Sequence, residues 1–264
     1  MQLPVPIGQS AMHWIFLSPH LDDAAFSCGG LITTLVHSGN RVEIWTICAG
    51  DPPDAPLSPF ASALHQRWGY AHNPVAERRE EDRRACALLG AHVRHFDIPD
   101  CVYRRNSNDG NPLIEKNEDL FQPLPETELP LVDHIRNELA RLAPVGARLV
   151  SPLALGGHMD HQLVRRAAEA LQRPLYYYAD YPYAGQVENQ PGELSQPGWE
   201  AISFTISEDA LRIWQAAIAE HRGQISTFWS SQIEMESKLR AYWQAGGGSK
   251  LWRTATRSTN DYKT

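Results

Sequence analysis

A short cluster of histidine and aspartate follows the first apolar run of the chain. The run Trp14–Leu17 leads into S-P-H-L-D-D, which places His20, Asp22 and Asp23 within four residues. Aspartate is almost never fully buried in proteins unless it is paired or bound to a metal. The cluster is therefore either a crowded polar turn or part of a site that holds a cation.

A second cluster of the same residue types occurs later in the chain, in S-P-L-A-L-G-G-H-M-D-H-Q at 151–162. It contains His158, Asp160 and His161, and it also follows a predicted strand and opens a predicted helix. Taken singly, each cluster is better explained by a capped turn or by carboxylates at a helix N-terminus. Two matched clusters at two strand ends favour a common site over coincidence.

Together the two clusters contain the ligands of a catalytic zinc site, which combines nitrogen and carboxylate ligands with a position left open for water. His20 and Asp23, three residues apart at a strand-to-helix turn, can bind one ion, and His161 would complete the set. Asp22 would then lie beside the metal. A metal lowers the pKa of water toward about 7, and a neighbouring carboxylate can accept the proton and pass it to the leaving group.

The remaining polar residues of the second cluster have supporting roles in this scheme. His158, three residues before His161, is positioned to donate a proton or to stabilise an oxyanion as an imidazolium. Asp160 is expected to orient a histidine ligand from the side away from the metal.

The spacing of apolar residues predicts strands that alternate with helices, which is typical of βαβ units and a mainly parallel sheet. Short runs rich in β-branched and aromatic residues predict five strands, at 13–18, 41–48, 92–98, 147–152 and 174–181. Periodic segments between them predict four helices, at Ala24–His37, Val75–Leu89, Leu129–Leu142 and Asp160–Gln172. We therefore predict a Rossmann-like three-layer α/β/α fold with a mainly parallel sheet and a C-terminal helical segment.

Long loops rich in proline and glycine are predicted to leave the carboxyl ends of strands two, three and five, at 51–74, 99–127 and 182–200. Ligands of open α/β sheets bind at this edge, and long loops in compact domains are often functional. Both polar clusters fall at the same edge. If strands one and four are neighbours, as in the usual doubly wound order, the clusters face each other.

The chain is predicted to form a single domain over residues 1–245, with its core at about 13–185 and a C-terminal helical part at about 205–245. Aromatic residues of the helical segment around 208–243 are expected in the core or an interface, rather than in a platform for a sugar ring. Gly246–Gly248 predicts a break, and residues 246–264 are expected to form a polar tail.

Composition narrows the class of protein and its partners. The chain has 264 residues, of which 42% are hydrophobic and 21% are charged, as in ordinary globular proteins. Its formal charge of −7 argues against nucleic acid as a partner, and no apolar run is long enough to span a bilayer. Residues 1–6 lack the features of a secretion signal, and the four cysteines are scattered. We therefore expect a cytoplasmic protein without a disulfide framework. The sequence is compatible with a monomer or an oligomer.

Four motifs give the chain a recognisable pattern, which resembles the LmbE-like (PIG-L) N-deacetylase family from about residue 13 to about residue 185. The motifs are P-H-L-D-D at 19–23, H-M-D-H at 158–161, R-R-E-E-D-R-R-A-C-A-L-L-G at 78–90, and I-P-D at 98–100 followed by Tyr103 and Arg104. The first two are specific in type and order, and the other two support them.

The resemblance implies zinc-dependent hydrolysis of the amide of an N-acylated amino sugar or its glycoside, commonly an N-acetylglucosaminyl group. It implies His20, Asp23 and His161 as metal ligands, Asp22 as general base and His158 as the transition-state partner. These roles agree with those argued above from the residues. Another divalent metal such as Fe²⁺ is the alternative to zinc.

The resemblance also implies Arg78, Asp100 and Arg104 as residues that contact the substrate. A guanidinium suits hydroxyls or an anionic group, whereas the alternative for Arg78 is a solvated charge run with its acidic neighbours. One departure from the family concerns Gly156, where some relatives have a tyrosine that assists at the oxyanion. A substitute would have to come from elsewhere, and the tyrosine-rich fifth strand is the candidate.

Three other interpretations remain open. The same metal and base could cleave a larger acyl or thiol-conjugate amide, or another amide or ester bond. A sugar-binding protein that has kept the fold and lost the chemistry is the second alternative, although all the expected inner residues are present. A nucleotide-binding oxidoreductase is suggested by the fold type alone, and no G-x-G-x-x-G follows the first strand.

Overall fold

A seven-stranded mixed sheet forms the centre of the protein in a computed structural model that describes residues 11–70, 73–185 and 198–254. The strands are β1 (His13–Ser18), β2 (Arg41–Thr46), β3 (His92–His95), β4 (Arg148–Pro152), β5 (Leu175–Tyr178), β6 (Trp199–Ser203) and β7 (Lys250–Thr254). Their order is β3-β2-β1-β4-β5-β7-β6. The pairs from β3 to β5 are parallel, and β7 runs antiparallel to both of its neighbours.

Helices cover both faces of the sheet, which confirms the predicted α/β architecture. They are α1 (Asp23–His37), α2 (Pro59–Trp68), α3 (Pro74–Leu89), α4 (Leu129–Leu142), α5 (Met159–Glu169), α6 (Glu208–Glu220), α7 (Arg222–Phe228) and α8 (Gln232–Gln244). α1, α3 and α6 pack against one another on one face, and α4 packs against α5 on the other. The last three helices confirm the predicted C-terminal helical segment.

Strand β1 shows why both faces of the sheet are covered. Trp14 and Phe16 pack into the core beneath α1 and α6, whereas Ile15 and Leu17 pack into the core beneath α4 and α5. A central parallel strand is buried on both faces, so its sequence is continuously apolar rather than alternating. This explains the run W-I-F-L directly before the first polar cluster.

Helix α2 lies within the stretch 51–74 that the sequence predicts as a loop. The side chain of Ser58 accepts a hydrogen bond from the N–H of Ala61 at 3.1 Å, and Pro59 is the first helical residue. The helix ends at Gly69, whose φ of 72° is left-handed. These are regular start and stop signals, but the ten-residue helix is too short to show a clear apolar period.

The expectation of a polar tail from residue 246 is wrong for Lys250–Thr254, which form β7. The stretch K-L-W-R-T is short and polar at both ends, so it does not stand out as a strand. Its register is nevertheless fixed, because Leu251 is fully buried and Trp252 pairs with Tyr177 of β5. β6 begins at Trp199, at the end of the third predicted loop, and pairs with β7. Residues 255–264 lie outside the described residues.

Gly29 allows α6 to approach α1 closely. Trp214 of α6 is fully buried and donates its indole N–H to the carbonyl oxygens of Ala25 at 2.8 Å and Phe26 at 3.1 Å. A Cβ at Gly29 would clash with the indole ring. We expect Gly29→Ala to lower the free energy of unfolding by about 1–2 kcal/mol, because overpacking outweighs the gain in helix propensity. Urea denaturation should show this, while Gly146→Ala, where nothing lies within 4 Å of the new Cβ, should be neutral.

His221, between α6 and α7, is 1% exposed, and neither ring nitrogen has a hydrogen-bond partner among the described residues. Burial lowers the pKa of His221 to about 4. The unfolded chain therefore binds a proton between about pH 6.5 and 4 that the folded chain does not, so this residue makes stability fall as the pH falls.

Near pH 4.5 we expect His221→Leu to reduce the acid-induced loss of unfolding free energy by about 2–3 kcal/mol. Urea denaturation at several pH values measures the unfolding free energy of both proteins. The same decrease of this free energy with falling pH in both proteins would contradict the prediction.

None of the helices in the described ranges has both the length and the apolar composition needed to cross a membrane. The four cysteines, Cys28, Cys48, Cys86 and Cys101, are free and buried.

Candidate active site

The two polar clusters meet at the carboxyl edge of the sheet because β1 and β4 are paired in parallel. The first cluster turns sharply at the end of β1. The hydroxyl of Ser18 accepts a hydrogen bond from the N–H of Ala24 at 3.0 Å and donates to the carbonyl of His20 at 2.7 Å. The second cluster is held at the start of α5, where the His158 side chain accepts a hydrogen bond from the N–H of Asp160.

A carboxylate oxygen of Asp23 lies between two histidine rings, one from each cluster. Asp23 Oδ2 is 3.1 Å from His20 Nδ1 and 3.3 Å from His161 Nε2. Ligand atoms about 2.1 Å from a tetrahedral metal are about 3.4 Å from one another. The two separations from the Asp23 oxygen are therefore close to those between ligands of one tetrahedral cation.

The other nitrogen of each of these histidines is bonded to a second carboxylate. Asp160 Oδ2 is 3.0 Å from His20 Nε2, and Asp180 Oδ1 is 2.6 Å from His161 Nδ1. Such carboxylate–histidine pairs fix the ring orientation of metal ligands. Asp160 therefore lies where its expected role requires. Asp180 was not predicted, and the available signal was its place two residues after β5, at the edge that carries the site.

A second set of three donors converges in the same space. One ring nitrogen each of His20, His158 and His161 lies within 4.8 Å of the others. Nδ1 of His158 accepts the N–H of Asp160 at 3.3 Å, which leaves Nε2 to face the site. His158 is thus placed either as a third nitrogen ligand or as a hydrogen-bond donor beside the cation.

Carboxylates dominate the electrostatics of the site. Burial lowers the pKa of His20, but Asp100, Asp160 and Asp23 outweigh this effect and raise that pKa well above its usual value. Burial also lowers the pKa of His161, but the carboxylates of Asp23 and Asp180 outweigh this effect and raise that pKa to about 10. The carboxylates thus stabilise positive charge at the point where the two rings meet. A divalent cation satisfies the same requirement.

Asp22 lies next to this point, where its N–H donates to the carbonyl of His20 at 2.9 Å and its side chain pairs with Arg78. Arg78 Nη2 is 3.3 Å from Asp22 Oδ2, and both side chains are buried. Burial and the carboxylate of Asp23 raise the pKa of Asp22 to about 7, against the opposing effect of Arg78. A carboxylate with this pKa can accept and release a proton near neutral pH.

The surroundings of His158 favour its neutral form, whereas the sequence interpretation has it act on the oxyanion as an imidazolium. Burial lowers the pKa of His158 well below its usual value, and positive charge on His20 and His161 lowers it further. A neutral ring that accepts at Nδ1 carries its proton on Nε2. His158 can therefore donate a hydrogen bond into the site.

Arg104, for which the resemblance implies a substrate contact, makes its polar contacts with the protein itself. Its guanidinium donates to Asp160 Oδ1 at 2.6 Å and to the carbonyl of Pro99 at 2.9 Å, and it lies 2.8 Å from a carboxylate oxygen of Glu128. These contacts occupy the guanidinium in a buried network. Arg104 therefore positions Asp160, which in turn holds His20.

Arg78 lies beside Asp22, and Asp100 lies beside His20. Asp100 Oδ2 is 3.6 Å from His20 Nε2. The guanidinium of Arg78 lies over the ring of Trp68 at 4.7 Å, a cation–π contact that holds it in place. Trp68 belongs to helix α2, which the sequence analysis predicted as part of a loop. Its contact with Arg78 was therefore not predicted.

Tyr183 occupies space beside Gly156. A Cβ at Gly156, whose φ is 82°, would lie 2.8 Å from Cδ1 of the tyrosine ring. The ring of Tyr183 is 6.1 Å from that of His161. The tyrosines of β5 are used differently, since Tyr178 donates to the carbonyl of Leu17 and Tyr177 to Glu169. Some relatives have a tyrosine at the position of Gly156, and Tyr183, five residues after β5, is its nearest counterpart in this protein.

We expect Asp180→Asn to weaken divalent metal binding by about 10–100-fold, because the second carboxylate of a metal–histidine pair typically contributes this much. The side chain is 1% exposed and also accepts the N–H of Leu155 at 3.0 Å. Competition with a chromophoric chelator measures the affinity. Asp133→Asn, at a surface carboxylate paired with Arg136, is the matched control. Equal affinities for both variants would contradict the role of Asp180.

The sequence of the chain matches a known protein family and individual relatives. Residues 15–172 match the family described as PIG-L: GlcNAc-PI de-N-acetylase. A 2'-N-acetylparomamine deacetylase of Niallia circulans is 25% identical over 94% of this chain and 96% of that protein. A protein of the same name from Streptomyces fradiae is 30% identical over 65% of this chain and 58% of that protein.

Solved structures show the same fold. The zinc-inhibited form of teicoplanin deacetylase Orf2 superposes with a TM-score of 0.75 at 26% identity, covering 95% of this chain and 100% of that chain.

Proposed function

The chain belongs to the PIG-L family, and from this membership we propose that it is a metal-dependent amide hydrolase that removes an N-acetyl group from an amino sugar or its glycoside. The relatives named above are deacetylases, and two of them are named for an N-acetylated amino sugar. The observation that carries the proposal is the Asp23 oxygen between His20 and His161, with Asp22 alongside.

We propose His20, Asp23 and His161 as the metal ligands and Zn²⁺ as the metal, with Fe²⁺ as the alternative. Two nitrogens and a carboxylate oxygen are ligands that zinc accepts in catalytic sites. A bound divalent metal supplies a Lewis acid for the amide carbonyl and lowers the pKa of water. Because the relative of known structure was solved in a zinc-inhibited form, the identity of the metal has to be tested with several cations.

The side chains around this set have complementary tasks. Asp22 accepts a proton from the water that attacks the amide carbon and returns it to the nitrogen of the leaving amine. Arg78 holds the Asp22 carboxylate in place. The Nε2–H of His158 donates to the carbonyl oxygen as negative charge develops on it. Water is thereby added across the C–N bond, and a carboxylic acid and an amine are released.

Substrate contacts are proposed for Arg78 and Asp100, which border the site from α3 and from the segment after β3. We further propose that the described residues work as one domain. The C-terminal helices and β7 pack on the same sheet that carries the site, which supports this proposal.

The direct test is amine release from a panel of N-acetylated amino sugars and glycosides, with protein loaded separately with Zn²⁺, Fe²⁺ and Co²⁺. A longer acyl group on one of the sugars distinguishes a deacetylase from an amidase for larger groups. We expect release that disappears with a chelator and returns with metal. Metal-loaded protein that releases no amine from any substrate would contradict the proposed function.

A further inference from the structure

Helix α2 carries two ring side chains that contact residues at the border of the candidate active site. His65 and Trp68 are three residues apart, so they lie on the same side of the helix. Their ring centroids are 5.6 Å apart, with an angle of 30° between the planes. Trp68 is buried and His65 is half-buried. The two rings therefore form one continuous surface, which we call the α2 face.

The tryptophan of the α2 face contacts the guanidinium that pairs with the general base. Cζ of Arg78 lies 4.7 Å from the centre of the indole ring, and Nη2 of Arg78 is 3.3 Å from Asp22 Oδ2. Nε of Arg78 is buried and has no hydrogen-bond partner among the described residues. A cation–π contact with Trp68 needs no acceptor atom. It can therefore hold a guanidinium that hydrogen bonds fix only in part.

The histidine of the α2 face contacts the turn that carries Asp100. Nε2 of His65 is 2.7 Å from the hydroxyl oxygen of Tyr103, whose side chain is buried. The N–H of Tyr103 donates to the carbonyl of Asp100 at 2.9 Å. Asp100 Oδ2 in turn is 3.6 Å from His20 Nε2. Because Tyr103 is held both at its hydroxyl and at its backbone, its contact with His65 fixes the turn beside the site.

The two contacts of the α2 face are electrostatically compatible. Burial lowers the pKa of His65, and the positive charge of Arg78 lowers that pKa further. The surroundings thus favour a neutral imidazole, which avoids repulsion from the guanidinium nearby. A neutral histidine can donate a hydrogen bond to a tyrosine hydroxyl or accept one from it.

We propose that helix α2 is the element that positions two carboxylates of the site, with Trp68 and His65 as positioning residues. Trp68 acts through Arg78 on the general base. His65 acts through Tyr103 on the carboxylate of Asp100. An apolar helix face would cover the same surface, but it would leave the buried guanidinium and hydroxyl without these contacts. The proposal rests on the proposed function, because it assigns both residues to the same reaction.

The test of Trp68 compares Trp68→Leu with Trp68→Phe in kcat/KM for amine release. We expect Trp68→Leu to lose about three- to thirtyfold, which corresponds to the usual strength of a cation–π contact. Trp68→Phe should lose less, because it keeps an aromatic face, and both variants should retain the metal. Trp243→Leu is the matched control, since Trp243 also carries a guanidinium, that of Arg240 at 6.0 Å. It should keep full activity.

The test of His65 is a double-variant cycle with Tyr103. His65→Phe and Tyr103→Phe should each lower kcat/KM about two- to tenfold, as expected for one hydrogen bond. The protein with both changes should lose no more than the larger single loss, because the two residues act through the same contact. His65→Gln keeps a hydrogen-bonding group and should regain most of the loss. Additive losses, or full activity of His65→Phe, would overturn the role of His65.

A measurement without substrate separates this proposal from the proposed function. The ring current of Trp68 should displace the Nε–H resonance of Arg78 in nuclear magnetic resonance spectra, where Arg78→Lys identifies this resonance by its disappearance. The displacement should be lost in Trp68→Leu and partly retained in Trp68→Phe. These shifts in a wild-type protein that releases no amine would support the positioning of Arg78 by α2 and reject the deacetylase. An unchanged resonance in Trp68→Leu, or equal activity of Trp68→Leu and Trp68→Phe, would overturn the role of Trp68.

Discussion

The Asp22→Asn variant is expected to lose at least about a hundredfold in turnover while it retains the divalent metal, in line with the usual contribution of a general base. The substitution keeps the shape of the side chain and an oxygen that can accept from Arg78. It removes the group that takes a proton. Because the pKa of Asp22 is raised to about 7 by burial and by Asp23, this is the carboxyl of the site best matched to proton transfer near neutral pH.

Steady-state amine release and metal content per chain are the two measurements for this variant. Asp51→Asn is a suitable control, because Asp51 is an exposed carboxylate that pairs with Arg79. It should keep full activity. An Asp22→Asn protein with near-normal turnover would reject Asp22 as the base, whatever the metal content.

Asp23→Asn is expected to abolish both metal retention and turnover, whereas His158→Gln should lose turnover and retain the metal. The reason lies in the two donor sets at the site. Asp23 supplies the charged oxygen between His20 and His161, and an amide oxygen there leaves the cation with neutral ligands only. If His158 is instead the third ligand, the outcomes for metal retention are reversed.

Metal content after dialysis, measured by elemental analysis, decides between these sets. Circular dichroism of each variant should be unchanged, since neither side chain belongs to the apolar core. Glu80→Gln on the exposed side of α3 serves as the control for loss of one negative charge. Metal retained by Asp23→Asn and lost by His158→Gln would reject the ligand set proposed here.

The inner part of the site could be predicted because strand ends are visible in a sequence. An apolar run followed by histidine and aspartate places His20 and His161 at the ends of parallel strands, and the doubly wound order makes β1 and β4 neighbours. The residue types then limit the chemistry. The family resemblance then implied the same assignment of Asp22 as base that the residues had given.

The supporting residues could not be predicted, because their roles depend on contacts across the fold. Asp180 is an ordinary aspartate after a strand until its contact with His161 is seen. Arg104 resembles a substrate-binding residue in sequence, and only the structure shows its ion pairs with Asp160 and Glu128. Trp68 lies in a helix hidden within a loop rich in proline.

Strand β7 has a consequence for how the chain is made. Strands β1 to β5 are synthesised before β6 and β7, and they can pair in parallel with one another. The edge of β5 that later pairs with β7 is then unpaired. An open edge is a template for pairing with other chains. β6 is made before β7 but pairs with β7, so it cannot close that edge by itself. Protection against aggregation on this side of the nascent protein therefore waits for residues 250–254.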